Sequence, residues 1–204
     1  MPRPARGPEE RSPRTNLVLA TLDLLRRGGL SGAGINQVVH ASRTPKGSVY
    51  HYFPGGKQQL VIAALRQAER TVGESFSNVF GARVRVGEKV RTLFTRAAAG
   101  LEANDFAKGC PVAAVTLDLD RESQPLRDVC RQVFDRWVDV IAQGLDDVPR
   151  GERRAIAQLI FATLEGGLVL ARARGAKAPV LESGSSLATV LDARFPGRRR
   201  ARRH

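Results

Sequence analysis

Apolar residues return every three or four positions along most of this chain, and that spacing admits little besides helix. The plainest run is Leu60, Val61, Ala64, Leu65, Ala68, Val72, Phe76 and Val79, one stripe on a helix expected from about Lys57 to Phe80. Similar stripes pass through Leu17, Thr21 and Leu24, through Val90, Leu93, Phe94 and Ala97, and through Leu126, Val129, Val133, Phe134, Trp137, Val140 and Ile141. Ala155 to Arg174 is the most apolar of the predicted helices, and Leu187, Val190 and Leu191 mark the last one. Between them stand the residues that start and stop helices. Ser12 caps ahead of Pro13, Gly28-Gly29 halts the first helix, and Phe53-Pro54-Gly55-Gly56 breaks the chain before the long one. Gly109 to Leu119 is long enough for either a buried strand or a short helix, and its helical surroundings favour helix. The expectation is an all-α protein with no internal repeat.

Charge is distributed unevenly. Residues 1–57 hold nine Lys/Arg against three Asp/Glu, residues 194–204 hold six Arg and no acid, and the stretch between is nearly balanced, within a net charge of +13. Basic ends on a neutral body suit a polyanion. A membrane-surface helix would need a wide apolar face beside its cations, and neither end has one. No apolar run is expected to approach the ~20 residues of a membrane span, and the Pro-rich start lacks the apolar stretch of a secretory signal. Cys110 and Cys130 lack metal-ligand spacing and are expected as core thiols in a reducing, cytoplasmic setting. The Arg-rich tail is either a plain disordered end or a source of nonspecific phosphate affinity.

The chemistry concentrates between Ile35 and Leu60. Two short helices, about Ile35–Ala41 and Pro45–Tyr52, are joined by Ser42-Arg43-Thr44, which is helix-turn-helix spacing. In the second helix Pro45 presets the first turn, Lys46 adds charge, Gly47 admits a close backbone, and Ser48 offers a hydroxyl. Tyr50, His51 and Tyr52 follow with hydroxyl, imidazole and flat apolar surface. Val49 and Phe53 are expected to face the core. Lys57 opens the next helix, where its ammonium and the free amides together suit a phosphate.

The string from Lys46 to Pro54 with Lys57 resembles the signature of the TetR family of repressors. Pro54-Gly55-Gly56-Lys57 and Lys108-Gly109-Cys110-Pro111-Val112-Ala113-Ala114-Val115 resemble its LmrA/YxaF-like subgroup. The resemblance implies about nine helices in a homodimer. It implies a DNA-binding domain, expected at 13–56, and a ligand-binding and dimerisation domain, expected at 57–195; composition adds a basic arm at 1–12 and a disordered basic tail at 196–204. It places DNA contacts at Ser31, Gly32, Thr44, Pro45, Lys46, Gly47, Ser48, Tyr50, His51 and Lys57, and the residues themselves add Arg43 and Tyr52 as expected contacts. Arg43 stands where the family usually has glycine. Either the turn differs, or a DNA contact offsets the cost of a left-handed arginine.

In the body, Phe94, Phe106, Phe134, Trp137 and Phe161 are an expected aromatic lining, with Leu117, Val133, Leu164, Glu165 and Leu168. A carboxylate on so apolar a helix must pair or be neutral, so Glu165 meets either an arginine from a neighbouring helix or a cationic ligand stacked on Trp137. Asp118 and Asp135 are weaker candidates for the same role. Ala162, Gly166, Leu170, Leu187, Val190 and Leu191 are the expected dimer interface. The combined expectation is a repressor that binds a near-palindromic double-stranded operator and is released by a small apolar or cationic aromatic molecule. The alternative is a DNA-binding regulator without an effector. No catalytic motif, cofactor or metal set is expected, since His40 and His51 fall in the DNA head and His204 in the tail, away from Cys110.

Overall fold

A computed structural model describes residues 12–120 and 123–196 of the chain. The proposed basic arm, apart from Ser12, and the arginines beyond Pro196 lie outside the described residues. Among the described residues every regular element is a helix: α1 (Pro13–Gly32), α2 (Ile35–Ser42), α3 (Lys46–Tyr52), α4 (Gly56–Phe80), α5 (Val86–Glu102), α6 (Pro111–Leu117), α7 (Gln124–Gln143), α8 (Arg153–Arg174) and α9 (Ala178–Arg194). The all-α expectation holds, and the Gly109–Leu119 ambiguity resolves as helix.

Local chemistry explains the boundaries. The Ser12 hydroxyl accepts the Thr15 amide at 3.3 Å, with Pro13 in the first turn. Gly28 and Gly29 leave helical geometry, Gly29 at φ 60°, and one further turn runs to Gly32. Asp118, the C-cap of α6, sits against that break: its carboxylate accepts the Leu30 amide at 2.7 Å, and a Cβ on Gly29 would overlap it. Pro45 is the N-cap of α3 rather than its first helical residue, with ψ 143°, and its carbonyl accepts the Ser48 amide at 2.9 Å.

The core runs without interruption from Leu17 and Val38 in the first three helices to Leu191 and Phe195 at the far end. α4 joins the two ends, packing on α1 below and α7 above, while α5 packs on α9 and α8 on both α7 and α9. Gly184 lets α9 close on α5, since a Cβ there would overlap Phe94. By length and mean hydropathy alone α8 would suffice to cross a membrane, against expectation. It packs instead as a half-buried helix: Ala157, Ile160, Phe161, Leu164, Gly167 and Ala171 face inward.

One cation is built into this core. Lys89 is 2% exposed. Its ammonium donates to the carbonyl of Phe80 at 3.0 Å, at the end of α4, and to that of Gly144 at 2.6 Å, just after α7. The Asp146 carboxylate lies 3.6 Å away. Terminal carbonyls carry the negative end of each helix dipole and need donors, so one ammonium ties together the ends of two helices and the first turn of a third. Lys89→Met keeps the stem but orphans both carbonyls. It is expected to lower unfolding stability by about 2–4 kcal/mol, read as a lower urea midpoint at unchanged slope.

Candidate nucleic-acid interface and body cavity

The geometry of the helix pair starts at Arg43. It holds φ 52° and ψ 35°, the left-handed conformation that glycine adopts most readily. Its amide returns to the His40 carbonyl at 3.3 Å, and the Thr44 amide to that of Val39 at 3.4 Å. The turn thus keeps the glycine-type closure with an arginine in it, and the Arg43 side chain stands exposed. This closure turns Thr44 inward. Thr44 is 5% exposed, and its hydroxyl donates to the Ser42 carbonyl at 3.2 Å, so its side chain is a buried turn lock and not the surface contact expected.

Beyond the turn, Val49 and Phe53 anchor α3 on the core, as expected. Their burial leaves Pro45, Lys46, Gly47, Tyr50 and His51 on the outer face, with Tyr50 53% exposed. A Cβ on Gly47 would meet nothing within 4 Å, so the backbone there is open to close approach from outside. Ser48 and Tyr52 are half-buried, and Tyr52 meets His51 edge-on at 4.7 Å between ring centroids. Ser31 is exposed beside half-buried Gly32, its hydroxyl donating to the Gly28 carbonyl at 3.1 Å. Lys57 is turned inward: its ammonium donates to the Leu30 carbonyl at 2.6 Å, tying the start of α4 to the end of α1.

In the body, a cavity of about 370 Å³ opens between α4, α5, α7, α8 and the segment leading into α6. Of the expected lining, Trp137, Phe161, Leu164, Glu165 and Leu168 are present. Trp137 and Phe161 meet Phe76 of α4 at 6.0 and 6.3 Å between centroids, in edge-on contacts. The Trp137 indole N–H donates to the Glu69 carbonyl at 3.0 Å, which makes this residue as much a tie between α7 and α4 as a cavity wall.

The other five expected lining residues lie elsewhere. Phe134 backs the aromatic cluster from behind, 5.5 Å from Phe161. Val133 is fully buried in the core, and Phe94 packs against α9 at Gly184. Phe106 sits in the left-handed loop before α6, where its carbonyl receives the Arg172 guanidinium at 3.3 Å. Leu117 is 84% exposed on the outside of α6. In their place the wall includes Val72, Leu93, Ala97, Leu101, Cys110 and Pro111. The three-and-four stripe of α5 is the sequence signal that could identify Leu93 and Ala97.

Glu165 faces this cavity without the arginine partner expected of it: no cation pairs with it among the described residues. Its neighbour is the Cys110 thiol. Burial drives the Glu165 carboxyl up to about 7, opposed by a hydrogen bond with Cys110. Burial, and then the nearby carboxylate, push the Cys110 thiol well above its usual range. Cys110 also caps α6, its sulfur accepting the Ala113 amide at 3.5 Å, so it is more than the core filler expected; Cys130 is buried as expected. Asp118 and Asp135 serve the fold, at the α1 break and in ion pairs with Arg154 and Arg131.

The segment that walls the cavity also grips α1. The Gly109 amide donates to the Arg26 carbonyl at 2.9 Å, Lys108 pairs with Asp23 at 2.6 Å, and Arg172 spans the Arg27 and Ala107 carbonyls at 3.4 and 3.3 Å. On the far side of α8, Leu159, Ala162, Gly166, Val169 and Leu170 form an exposed stripe, with Val190 exposed on α9. Leu187 is half-buried at its edge, whereas Leu191 is buried within the chain and is no surface residue.

Comparison with known proteins agrees with this arrangement. The family model for bacterial regulatory proteins of the tetR family matches residues 17–64, and that for the C-terminal domain of LmrA/YxaF-like transcriptional regulators matches residues 87–185. An uncharacterized HTH-type transcriptional regulator of Mycobacterium tuberculosis is 34% identical over 195 residues, covering 92% of this chain and 98% of the relative. The HTH-type transcriptional regulator LmrA of Bacillus subtilis is 27% identical over 180 residues, covering 87% and 96%. The fold is shared, at TM-score 0.76 and 20% identity over 91% of this chain and 100% of the other, with a cysteine-substituted variant of the TetR family transcriptional regulator CifR solved with a 26-base-pair operator DNA. The chain therefore belongs to the TetR family of transcriptional regulators, with a C-terminal domain of the LmrA/YxaF type.

Proposed function

We propose that this regulator is a homodimeric repressor that holds a near-palindromic operator through α3 and releases it when a small molecule fills the body cavity. In this reading residues 13–56 bind DNA and residues 57–195 bind effector and partner. The observation that carries it is the outer face of α3, where Lys46, Gly47, Tyr50 and His51 stand clear of the core on a short helix held rigidly by Val49 and Phe53. The exposed α8 stripe supports the dimer. Its small residues, Ala162 and Gly166, permit close approach of a second copy, and a Cβ on Gly166 would meet nothing within 4 Å of its own chain.

The release mechanism follows from shared parts. α4 runs from beside α3 to the aromatic wall, and the Lys108–Pro111 segment both lines the cavity and bonds to α1. An occupant that displaces either element moves the DNA-binding helices with it, and so favours the dimer spacing that does not match two successive major grooves. A hundred-fold loss of affinity needs only about 2.7 kcal/mol of coupling.

Four variants test this reading. With duplexes selected from a random pool, Tyr50→Ala weakens binding about ten- to hundred-fold. Arg43→Gly relieves the left-handed arginine and raises stability by about 1 kcal/mol, yet weakens DNA binding and lowers the salt slope by about 0.9. Unchanged affinity in both variants would remove α3 and its turn from the interface. For the dimer, Leu170→Glu places a charge on the exposed stripe without touching the chain's own core. It is expected to sediment as a monomer at concentrations where the parent chain is dimeric, and a persisting dimer would shift the interface elsewhere.

The fourth variant concerns Glu165. Its carboxyl ionises near 7 when folded against an ordinary 4.5, so the folded chain holds that proton more tightly than the unfolded one. Stability from this group is therefore complete below its ordinary value and falls as pH rises towards 7. Glu165→Gln removes the penalty: at pH 8 it is expected to exceed the parent by up to about 3 kcal/mol, and at pH 4 to match it. Equal differences at both pH values in urea titrations would contradict the buried, uncompensated carboxyl.

A further inference from the structure

Two chemically different kinds of residue line the cavity. Phe76, Trp137, Phe161 and Leu164 are apolar. Half-buried Arg26 of α1 and exposed Arg96 of α5 also line it, and neither guanidinium makes an ion pair or side-chain hydrogen bond among the described residues. Lys108 also lines the cavity, but Asp23 neutralises it at 2.6 Å. The one carboxyl in the wall is Glu165, and its burial keeps it partly protonated near neutral pH. The uncompensated charge around the cavity is thus positive.

This runs against a cationic occupant, which would face two unpaired guanidinium groups for one weakly ionised acid. Guanidinium pairs instead suit a carboxylate, phosphate, sulfonate or phenolate, which they meet with forked, charge-assisted hydrogen bonds. We infer that the effector is a small amphipathic organic anion, its ring or hydrocarbon body against the aromatic wall and its charged head towards Arg26 and Arg96. The inference rests on the reading of the cavity as the effector site and adds the charge of what enters it. At about 370 Å³ the cavity suits a molecule of one or two rings rather than a large conjugate. Arg26 also gives the charge a mechanical role. Its carbonyl holds the Gly109 amide at 2.9 Å, two residues before the Gly28–Gly29 break in α1, so a head group drawn to Arg26 acts on the joint between cavity and DNA-binding helices.

The test is calorimetric titration of the full-length chain with three molecules of one shape and different charge: 2-naphthoate, 2-naphthalenemethanol and 2-naphthylmethylammonium. The carboxylate is expected to bind at least about ten-fold tighter than the alcohol, with the ammonium weakest. In an Arg26→Gln, Arg96→Ala double variant with an unchanged thermal midpoint, that preference is expected to vanish while the alcohol binds as before. Alcohol or ammonium binding as tightly as carboxylate, or a preference that survives in the double variant, overturns the anion assignment alone. Failure of all three to bind overturns the reading of the cavity as an effector site, and the anion assignment with it.

Discussion

The joint between the first helix and the segment entering α6 is what the rest of this molecule depends on. Gly29 adopts a backbone conformation few residues tolerate, Asp118 fills the space a side chain would have taken and accepts the freed Leu30 amide, and Lys108, Gly109 and Arg172 bind the same stretch of α1 from the body side. Hydrogen bonds of this kind are worth little singly, yet they are geometrically selective. A set of them converts a flexible glycine pair into a defined angle. Without that angle α2 and α3 would have no fixed relation to the cavity.

The same economy recurs at the opposite end, where one ammonium serves the termini of α4 and α7. The ends of α4 and α7 are held by a donor placed at their terminal carbonyls, and their middles by apolar packing together with the Trp137–Glu69 hydrogen bond. The cavity lies in that middle region, and its walls come from elements whose ends are secured. Such a frame lets one wall shift while its neighbours stay in place.

Much of this was legible beforehand. The three-and-four spacing marks the long helices because a helix with one buried face requires it, and glycine and proline mark the breaks because few other residues tolerate or impose those angles. The outer face of α3 was legible because Val49 and Phe53 identify the inner one. What failed did so for tertiary reasons. Thr44 is buried because Arg43 closes the turn in the left-handed region, and nothing in the local pattern sets that direction. Phe94 looked like a cavity residue until α9 packed on it at Gly184, and Leu117 looked inward on a helix whose rotation depends on the grip of Asp118. Glu165 was recognised as the exceptional residue of α8, but its neighbour proved to be the sulfur of Cys110 rather than a cation, because that contact joins positions far apart in the chain.

That neighbour relation has a thermochemical consequence. A half-buried carboxyl whose ionisation lies near neutral pH exchanges protons with the medium whenever its surroundings change polarity or charge. A molecule that enters beside it and shifts its ionisation takes up or releases a proton, which the buffer must supply or absorb. The heat released on complex formation will then depend on whether the solution is phosphate or Tris, whose own ionisation enthalpies differ widely. Filling the cavity would then also be an acid–base event.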